Sequence, residues 1–276
     1  MGYEIFRGQR VLVTGAAGTV GMALLKQLSE LETSSLYGID NSETGLFEAA
    51  SKRSSSFEPI LCDVRDFDRL ETVTRGVDII FHAAALKHVP ICEGSPIDAI
   101  KTNILGVQNV IRAAERNQVS RVVFTSTDKA VNPFNVMGAS KLMGEQLIRA
   151  ANVDHLGQVF VSTRFGNVLG SSGSVIPIFA RQIREKRPVT VTSGEMTRFV
   201  MGLDEAIELV IEAGNLAHGG EIFITKMRAI RIQDLAEVMI ENLSEKVGGK
   251  YTSEIEVIGA RPGEKTFEEL MNQEEV

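Results

Sequence analysis

Short apolar, largely β-branched runs alternate along the chain with longer stretches whose apolar positions recur every three or four residues. The first run, Arg10-Val11-Leu12-Val13-Thr14, predicts a strand. Gly15, Gly18 and Gly21 follow, and then Met22, Leu24, Leu25 and Leu28 at helical spacing. Further strands are predicted from Leu36 to Ile39, ending in Asp40, and from Pro59 to Cys62, leading to Asp63 and Val64. Two more are predicted from Val77 to Phe81 and from Arg121 to Ser126. Between those two, Ile97, Ile100, Ile104, Val107, Val110 and Ile111 predict one continuous helix to about Asn117. Asn103 lies on its apolar face, where a partly buried amide needs partners. A helix from Val136 through Ile148 and a strand from Gln158 to Thr163 continue the alternation. Repeated strand and helix predict an α/β protein with a doubly wound parallel sheet, Rossmann-like. Strands covered on both faces need no alternating polar position, which accounts for the unbroken apolar runs.

After Asn167 the texture changes. A loop from Gly170 opens a helix through Ile176, Phe179 and Ile183; a strand at Val189 to Thr192, a helix from Leu203 to Ala217 and an extended piece from Glu221 to Thr225 follow. A helix from Ile232 to Leu243, a strand near Ile255 and a short acidic helix after Arg261-Pro262-Gly263-Glu264-Lys265 are predicted to close the chain. The expected division is a dinucleotide-binding domain over 1–165 and a smaller α/β substrate lobe over 166–276, with elements of 200–230 returning to the first.

Composition narrows the possibilities. The 276 residues are 43% hydrophobic and 24% charged, ordinary for a globular protein. A net charge of −7 argues against a nucleic-acid surface. No apolar run approaches the roughly 20 residues that span a bilayer, and the amino terminus has no signal-peptide core. A cytoplasmic protein without a membrane partner is expected, with Cys62 and Cys92 as reduced thiols. His82, His88, His155 and His218 are scattered, so no metal site is expected.

Two stretches carry candidate chemistry. Strand, glycine turn and helix form the setting of a phosphate-binding turn, here spaced Gly-x-x-Gly-x-x-Gly rather than in the usual dinucleotide pattern. The helix amino terminus offers N–H groups and a positive dipole end to a pyrophosphate. Asp40, nineteen residues after Gly21, is placed to accept hydrogen bonds from a ribose, and no arginine follows it directly. NAD is thereby favoured over NADP. The plainer readings are a tight turn without ligand and a helix cap by Asp40 or Ser42. The second stretch runs from Thr125 to Lys141 and sets a hydroxyl, an acid and an amine in consecutive positions, Thr127, Asp128 and Lys129, at a strand's carboxyl end. Ligands of open α/β sheets bind there; the plainer reading is a surface ion pair, worth under about 1 kcal/mol.

The glycine turn and five further blocks add a resemblance. Thr14-Gly15-x-x-Gly18-x-x-Gly21 looks like the cofactor turn of extended short-chain dehydrogenase/reductases. Ser126 to Pro133, His82 to Pro90, Arg164 to Gly170, Met196 to Phe199 and Arg261 to Lys265 resemble the polysaccharide-biosynthesis branch, which includes UDP-N-acetylglucosamine 4,6-dehydratases. The resemblance covers essentially the whole chain and implies a lyase. NAD is oxidant and then reductant in its reaction, the C5 proton is removed between the two hydride transfers, and some members also invert C5. UDP-hexose 4-epimerases share fold and cofactor, and a non-catalytic nucleotide-binding protein is the third alternative.

By the resemblance, Lys129 is the C5 base, Asp128 the acid for the departing C6 hydroxyl, and Thr127 the partner of the C4 oxygen. Lys141 is a cation near the nicotinamide. The superfamily's Tyr-x-x-x-Lys reads Met137-x-x-x-Lys141 here, so the usual phenol is missing from the proton relay. Gly15, Gly18, Thr19, Val20, Gly21, Asp40, Asp63, Val64, Ala83, Ala84 and Lys141 are expected around NAD. Lys87, Asn167, Arg198, Arg261 and Glu264 are expected around the UDP-sugar. A homo-oligomer is implied as well. Against the family pattern, the chain is expected to lack the membrane-spanning amino-terminal region of long relatives and part of the substrate lobe's outer wall.

Overall fold

The computed structural model describes residues 3–51, 57–154, 157–171, 173–244 and 254–275. Its first half alternates β1 (Arg10–Thr14), α1 (Thr19–Leu28), β2 (Ser35–Asp40), α2 (Glu43–Ala50), β3 (Glu58–Leu61), α3 (Phe67–Val73) and β4 (Ile79–His82). Short helices α4 (Val89–Gly94) and α5 (Pro96–Ala99) then lead through a π-helical turn, Ile100–Leu105, into α6 (Gly106–Arg116). After β5 (Arg121–Thr125) come a 3₁₀ turn (Asp128–Ala130), α7 (Val136–Asp154) and β6 (Val159–Arg164). The second half holds β7 (Asn167–Val168), α8 (Val175–Arg184), β8 (Val189–Val191), β9 (Thr197–Met201), α9 (Leu203–Leu216), β10 (Ile222–Ile224), β11 (Arg228–Arg231), α10 (Ile232–Ser244) and β12 (Ile255–Val257).

Seven strands form one parallel sheet in the order β10-β6-β5-β4-β1-β2-β3. β1 pairs with β2 on one side and β4 on the other, so the strand order reverses there and a crevice opens beyond the strand ends. Each face carries its own core. Leu24, Leu25 and Leu28 of α1 and Ile207, Val210 and Ile211 of α9 cover one face; Leu70, Val107, Val110 and Ile148 cover the other. β3 is the exposed edge, and Pro59 within it blunts further pairing. A smaller layer joins β11, β9 and β7, and β8 pairs with β12 beneath α8 and α10 over a core of Phe179, Ile183, Val191 and Ile232.

One local prediction is refined and two are corrected. The helix predicted from Ile97 to Asn117 keeps helical backbone throughout but includes a π turn at Ile100–Leu105, where Asn103 is 1% exposed and hydrogen-bonded. Val89–Gly94, which the apolar spacing does not mark, is helical, with Pro90 in its first turn. The acidic end after Lys265 is a series of turns rather than a helix. Its carbonyls are taken elsewhere: Arg198 donates to Lys265 O and Thr266 O, and Arg164 to Leu270 O. Met196 to Phe199, read only as a motif, enters β9.

Candidate active site

A cavity of about 740 Å³ lies at the carboxyl ends of β1, β2, β4, β5 and β6. On one side its wall is backbone. Gly15 has φ +70, and a Cβ on it would stand 2.7 Å from Ala84 N; a Cβ on Gly21 would stand 2.0 Å from Gly15 O. Only glycine allows the turn, Ala84 and the start of α1 to come together this closely. Gly18 caps α1 with no side chain, leaving the helix amino terminus facing the cavity that Gly15, Gly18, Thr19, Val20 and Gly21 line. Asp40 lines it too. Its two oxygens accept from Ala17 N at 3.1 Å and Ser42 N at 2.9 Å, while the Ser42 hydroxyl caps α2 through Gly45 N. Asp63 and Val64 close the far wall with Ala83 and Ala84. Arg65 and Asn41 donate to Asp63, and the Arg65 bonds outweigh burial to lower its carboxyl to about 2. Glycine cradle, open helix end and ribose-height carboxylate fit a dinucleotide.

On the other side the wall is side chains. Thr127 begins the 3₁₀ turn, accepting from Lys129 N at 3.4 Å and donating to Asp128 Oδ1 at 2.9 Å. The turn lets consecutive residues share a site that an extended strand would send to opposite faces. Lys129 Nζ reaches Asp128 Oδ1 at 2.9 Å and Asn167 Oδ1, from β7, at 3.1 Å. Thr127, Lys129 and Asn167 line the cavity, whereas Asp128 does not. Asp128 is fully buried behind them, its Oδ2 without a hydrogen-bond partner. Met137, 4% exposed, also lines the cavity, packed against Cys92 and Ala99. Its thioether carries no proton.

Lys141, one helical turn further on, donates to Thr125 O at 2.8 Å and lies 4.5 Å from the Phe124 ring centroid. Burial lowers its ammonium to about 8, against the opposing pull of Glu145. Beneath it His82, wholly buried, is lowered to about 3 by burial and by Lys141; its Nδ1 is 2.7 Å from Thr14 Oγ1. Asn103 fixes the adjoining wall: Oδ1 accepts from Leu86 N at 2.8 Å, and Nδ2 donates to Leu86 O and Ser140 Oγ at 2.9 Å. Lys87, its ammonium lowered by burial, lines the cavity beside His88.

Three of the residues expected at the sugar nucleotide are outside the cavity lining. The Arg198 guanidinium, from β9, is spent on the carbonyls of Thr197, Lys265 and Thr266. Arg261 and Glu264 close a local turn on each other, with Glu264 N donating to Arg261 O and Arg261 N to Glu264 Oε2. The spacing of these residues does not reveal that the closing segment lies on the stretch from Thr125 to Lys141. Lys265 Nζ donates to Val131 O at 3.0 Å, Asn135 to Gly263 O at 2.8 Å, and Asn132 to Glu269 at 2.9 Å. Ser126, Ser171 and Ser174 line the cavity and were given no role by the sequence; small polar residues flanking a glycine or strand end were the signal available. Among the described residues no cluster of His, Cys, Asp or Glu is placed to hold a metal ion, and no helix is long and apolar enough to cross a membrane. His155 lies outside the described residues.

Comparison with known proteins bears on this cavity. A family model described as polysaccharide biosynthesis protein matches residues 11–276. The chain is 48% identical over 280 residues to an uncharacterized membrane protein of Methanocaldococcus jannaschii, covering 99% of this chain and 83% of that one. It is 43% identical to CapD, a capsular polysaccharide biosynthesis protein of Staphylococcus aureus, over 96% of this chain but only 45% of CapD, about half that protein's length. A UDP-glucose 4-epimerase of Rickettsia bellii is 39% identical over 99% of this chain and 80% of its own. Among solved structures, Pen from Bacillus thuringiensis superposes with a TM-score of 0.92 at 42% identity, covering 98% of this chain and 84% of Pen. DesIV of Streptomyces venezuelae, a dTDP-glucose 4,6-dehydratase solved with NAD, shares the fold at a TM-score of 0.84 and 22% identity, over 96% of this chain and 89% of DesIV.

Proposed function

The chain belongs to the polysaccharide biosynthesis protein family, of the extended short-chain dehydrogenase/reductase type, and on that premise we propose that it is an NAD-dependent nucleotide-sugar 4,6-dehydratase. Its substrate in this reading is a UDP-N-acetylhexosamine, UDP-N-acetylglucosamine first, and its product a UDP-4-keto-6-deoxy sugar for surface glycan synthesis. The observation that carries the reading is the linked set Thr127–Asp128–Lys129–Asn167 at the cavity wall. The chemistry NAD supplies when bound is a hydride acceptor at C4 and a hydride donor at C6. Gly15, Gly18, Thr19, Val20 and Gly21 would hold its pyrophosphate, Asp40 a ribose, and Asp63 and Val64 the adenine edge. Lys87 and Asn167 would meet the sugar and its phosphates.

Proton balance assigns the rest. The hexose loses one water, so the proton shed by the C4 hydroxyl must finish on the oxygen leaving C6. Thr127 takes the C4 proton at Oγ1 while passing its own to Asp128 Oδ1, a shift along the existing 2.9 Å hydrogen bond. Asp128, protonated and neutral after this shift, is the acid for the C6 oxygen. Because it is buried, its proton returns through Thr127 rather than by direct contact. Lys129 Nζ takes the C5 proton, acidified by the C4 ketone, and gives a proton back to C5 when C6 is reduced. This circuit has no need of a phenol, which suits Met137. Lys141 supplies positive charge beside the C4 oxygen.

A second reading, UDP-hexose 4-epimerase, is favoured by the 39% identity to the Rickettsia bellii epimerase. Incubation with UDP-N-acetylglucosamine in deuterated water, followed by NMR, separates the two. A 4-keto-6-deoxy product with deuterium at C5 is expected; inversion at C4 with protium kept at C5 would replace the dehydratase reading with the epimerase one.

A further inference from the structure

The circuit above leaves one buried imidazole unused. His82, the last residue of β4, is fully buried between its register neighbours, Thr14 on β1 and Phe124 on β5. Its ring stacks on Phe124 with centroids 5.7 Å apart, and its Nε2 has no hydrogen-bond partner among the described residues. Burial and Lys141 lower the imidazolium to about 3, so the ring is neutral and one of its nitrogens is an acceptor. A phenylalanine would fill the same place against Phe124 without orphaning a buried polar atom. What the imidazole adds is Nδ1, 2.7 Å from Thr14 Oγ1.

Counting protons assigns that contact. Thr14, also fully buried, accepts the Ala84 N–H on Oγ1 at 3.1 Å. If Nδ1 carried the imidazole proton, both neighbours would donate to Oγ1. The hydroxyl proton and the Nε2 lone pair would then both lack partners among the described residues. If Thr14 donates to Nδ1 instead, only the Nε2–H is left over. Buried polar groups are paired wherever folding permits, so the arrangement with one orphan prevails over the one with two. Its consequence reaches the cavity. The Thr14 hydroxyl turns a lone pair to Ala84 N, the atom that a Cβ on Gly15 would approach to 2.7 Å. Ala83 N donates to Thr14 O at 3.2 Å, and Thr125 Oγ1 to His82 O at 3.2 Å, so the end of β4 is tied from both sides. Gly15, Ala83 and Ala84 all line the cavity.

We propose that His82 is a positioning residue for the cofactor cradle. In its Nε2–H tautomer it accepts the Thr14 hydroxyl at Nδ1, so that the hydroxyl in turn accepts Ala84 N and holds the Ala83–Ala84 wall against the glycine turn. The part that concerns NAD rests on the cofactor reading above; the tautomer does not. The relay also says which substitute can serve at position 82. An asparagine places its amide oxygen near the branch position of Nδ1, whereas a glutamine reaches toward that of Nε2 and leaves the Thr14 proton unanswered.

Two measurements test this. In the first, the ¹⁵N resonances of the His82 ring are assigned in the full chain without cofactor. A protonated Nε2 and a bare Nδ1 are expected; a protonated Nδ1 overturns the proposal. In the second, NAD is titrated by calorimetry into variants of the two residues. His82→Gln is expected to weaken NAD about tenfold, the size of about one net hydrogen bond, with His82→Asn within about threefold of wild type. Thr14→Val is expected to match His82→Gln, and the double variant to lose no more than either alone, because both break one link. Equal NAD affinity in the Asn and Gln variants, or losses that multiply in the double variant, overturn the proposal. Where a variant of His82 fails to fold, Thr14→Ser against Thr14→Val decides: Ser is expected to keep NAD affinity within about threefold, and a Ser variant as weak as Val overturns the relay. A wild-type chain that binds no NAD but shows the stated tautomer sinks the cofactor reading, and the cradle role with it, while the Thr14–His82 bond stands.

Discussion

Around the glycine turn the cavity wall is backbone, supplied by two short stretches at adjacent strand ends: Gly15, Gly18 and Gly21 with the start of α1, and Ala83 and Ala84. Around Thr127 the wall is side chains, and the groups that hold them come from far along the chain: Asn167 on β7, Arg198 on β9, and the closing segment from Gly263 to Glu275. The first arrangement is rigid because a parallel sheet buried on both faces fixes it. The second is polar, partly buried and adjustable, because each member's charge depends on its neighbours. A surface that recognises a constant cofactor can be built from shape; a surface that moves protons needs groups whose environments tune one another.

If the two regions are separable, changes in one should spare the other. The largest effect is expected for Lys129→Met. Loss of a general base costs about 10²- to 10⁴-fold in turnover, and calorimetry should find NAD affinity within about twofold of wild type. A comparable loss of cofactor affinity would join the regions.

The next effect is pH-linked and falls on Lys141, which stands where the regions meet. Its ammonium is lowered to about 8 from an ordinary 10.5. Between those values the unfolded chain binds the extra proton, so stability rises with pH across the window, by up to about 3 kcal/mol. Thermal denaturation from pH 7 to 10.5 should show this rise in the wild type relative to Lys141→Met. Parallel curves would mean that the amine is not desolvated.

Gly15→Ala is expected to be milder. The added Cβ meets Ala84 N at 2.7 Å at a φ of +70, an overpacking worth about 1–3 kcal/mol. NAD affinity should drop about tenfold, while the pH profile of the remaining turnover keeps its wild-type shape. A displaced profile would show that the backbone cradle also sets the side-chain electrostatics.

The unequal legibility of these regions follows from the same contrast. β1, α1 and Asp40 could be read because each depends on neighbours within one strand–helix–strand unit, β1–α1–β2. Thr127, Asp128 and Lys129 were visible as a cluster, but that Asp128 would be sealed behind the other two was not. Its backbone N–H is bound to Phe165 O at 3.0 Å, a contact that residue spacing does not show. Arg198, Arg261 and Glu264 are assigned to the nucleotide by resemblance, and residue spacing carries no sign that the Arg198 guanidinium meets backbone carbonyls or that Arg261 and Glu264 close a turn on each other.

By itself the sequence determined the α/β class, the strand-end location of the chemistry, the glycine turn and the replacement of the expected tyrosine by Met137, since all of these rest on residue type and short-range period. Only the tertiary structure decided which polar groups would meet: Lys129 with Asn167, Arg164 with Glu145 and Glu275, and Arg198 with Lys265 O. The reason is physical. Hydrophobic periodicity is written locally, but the energy of a buried charge depends on every partner that folding brings within reach, and those partners lie as much as 111 residues away, as Glu275 does from Arg164.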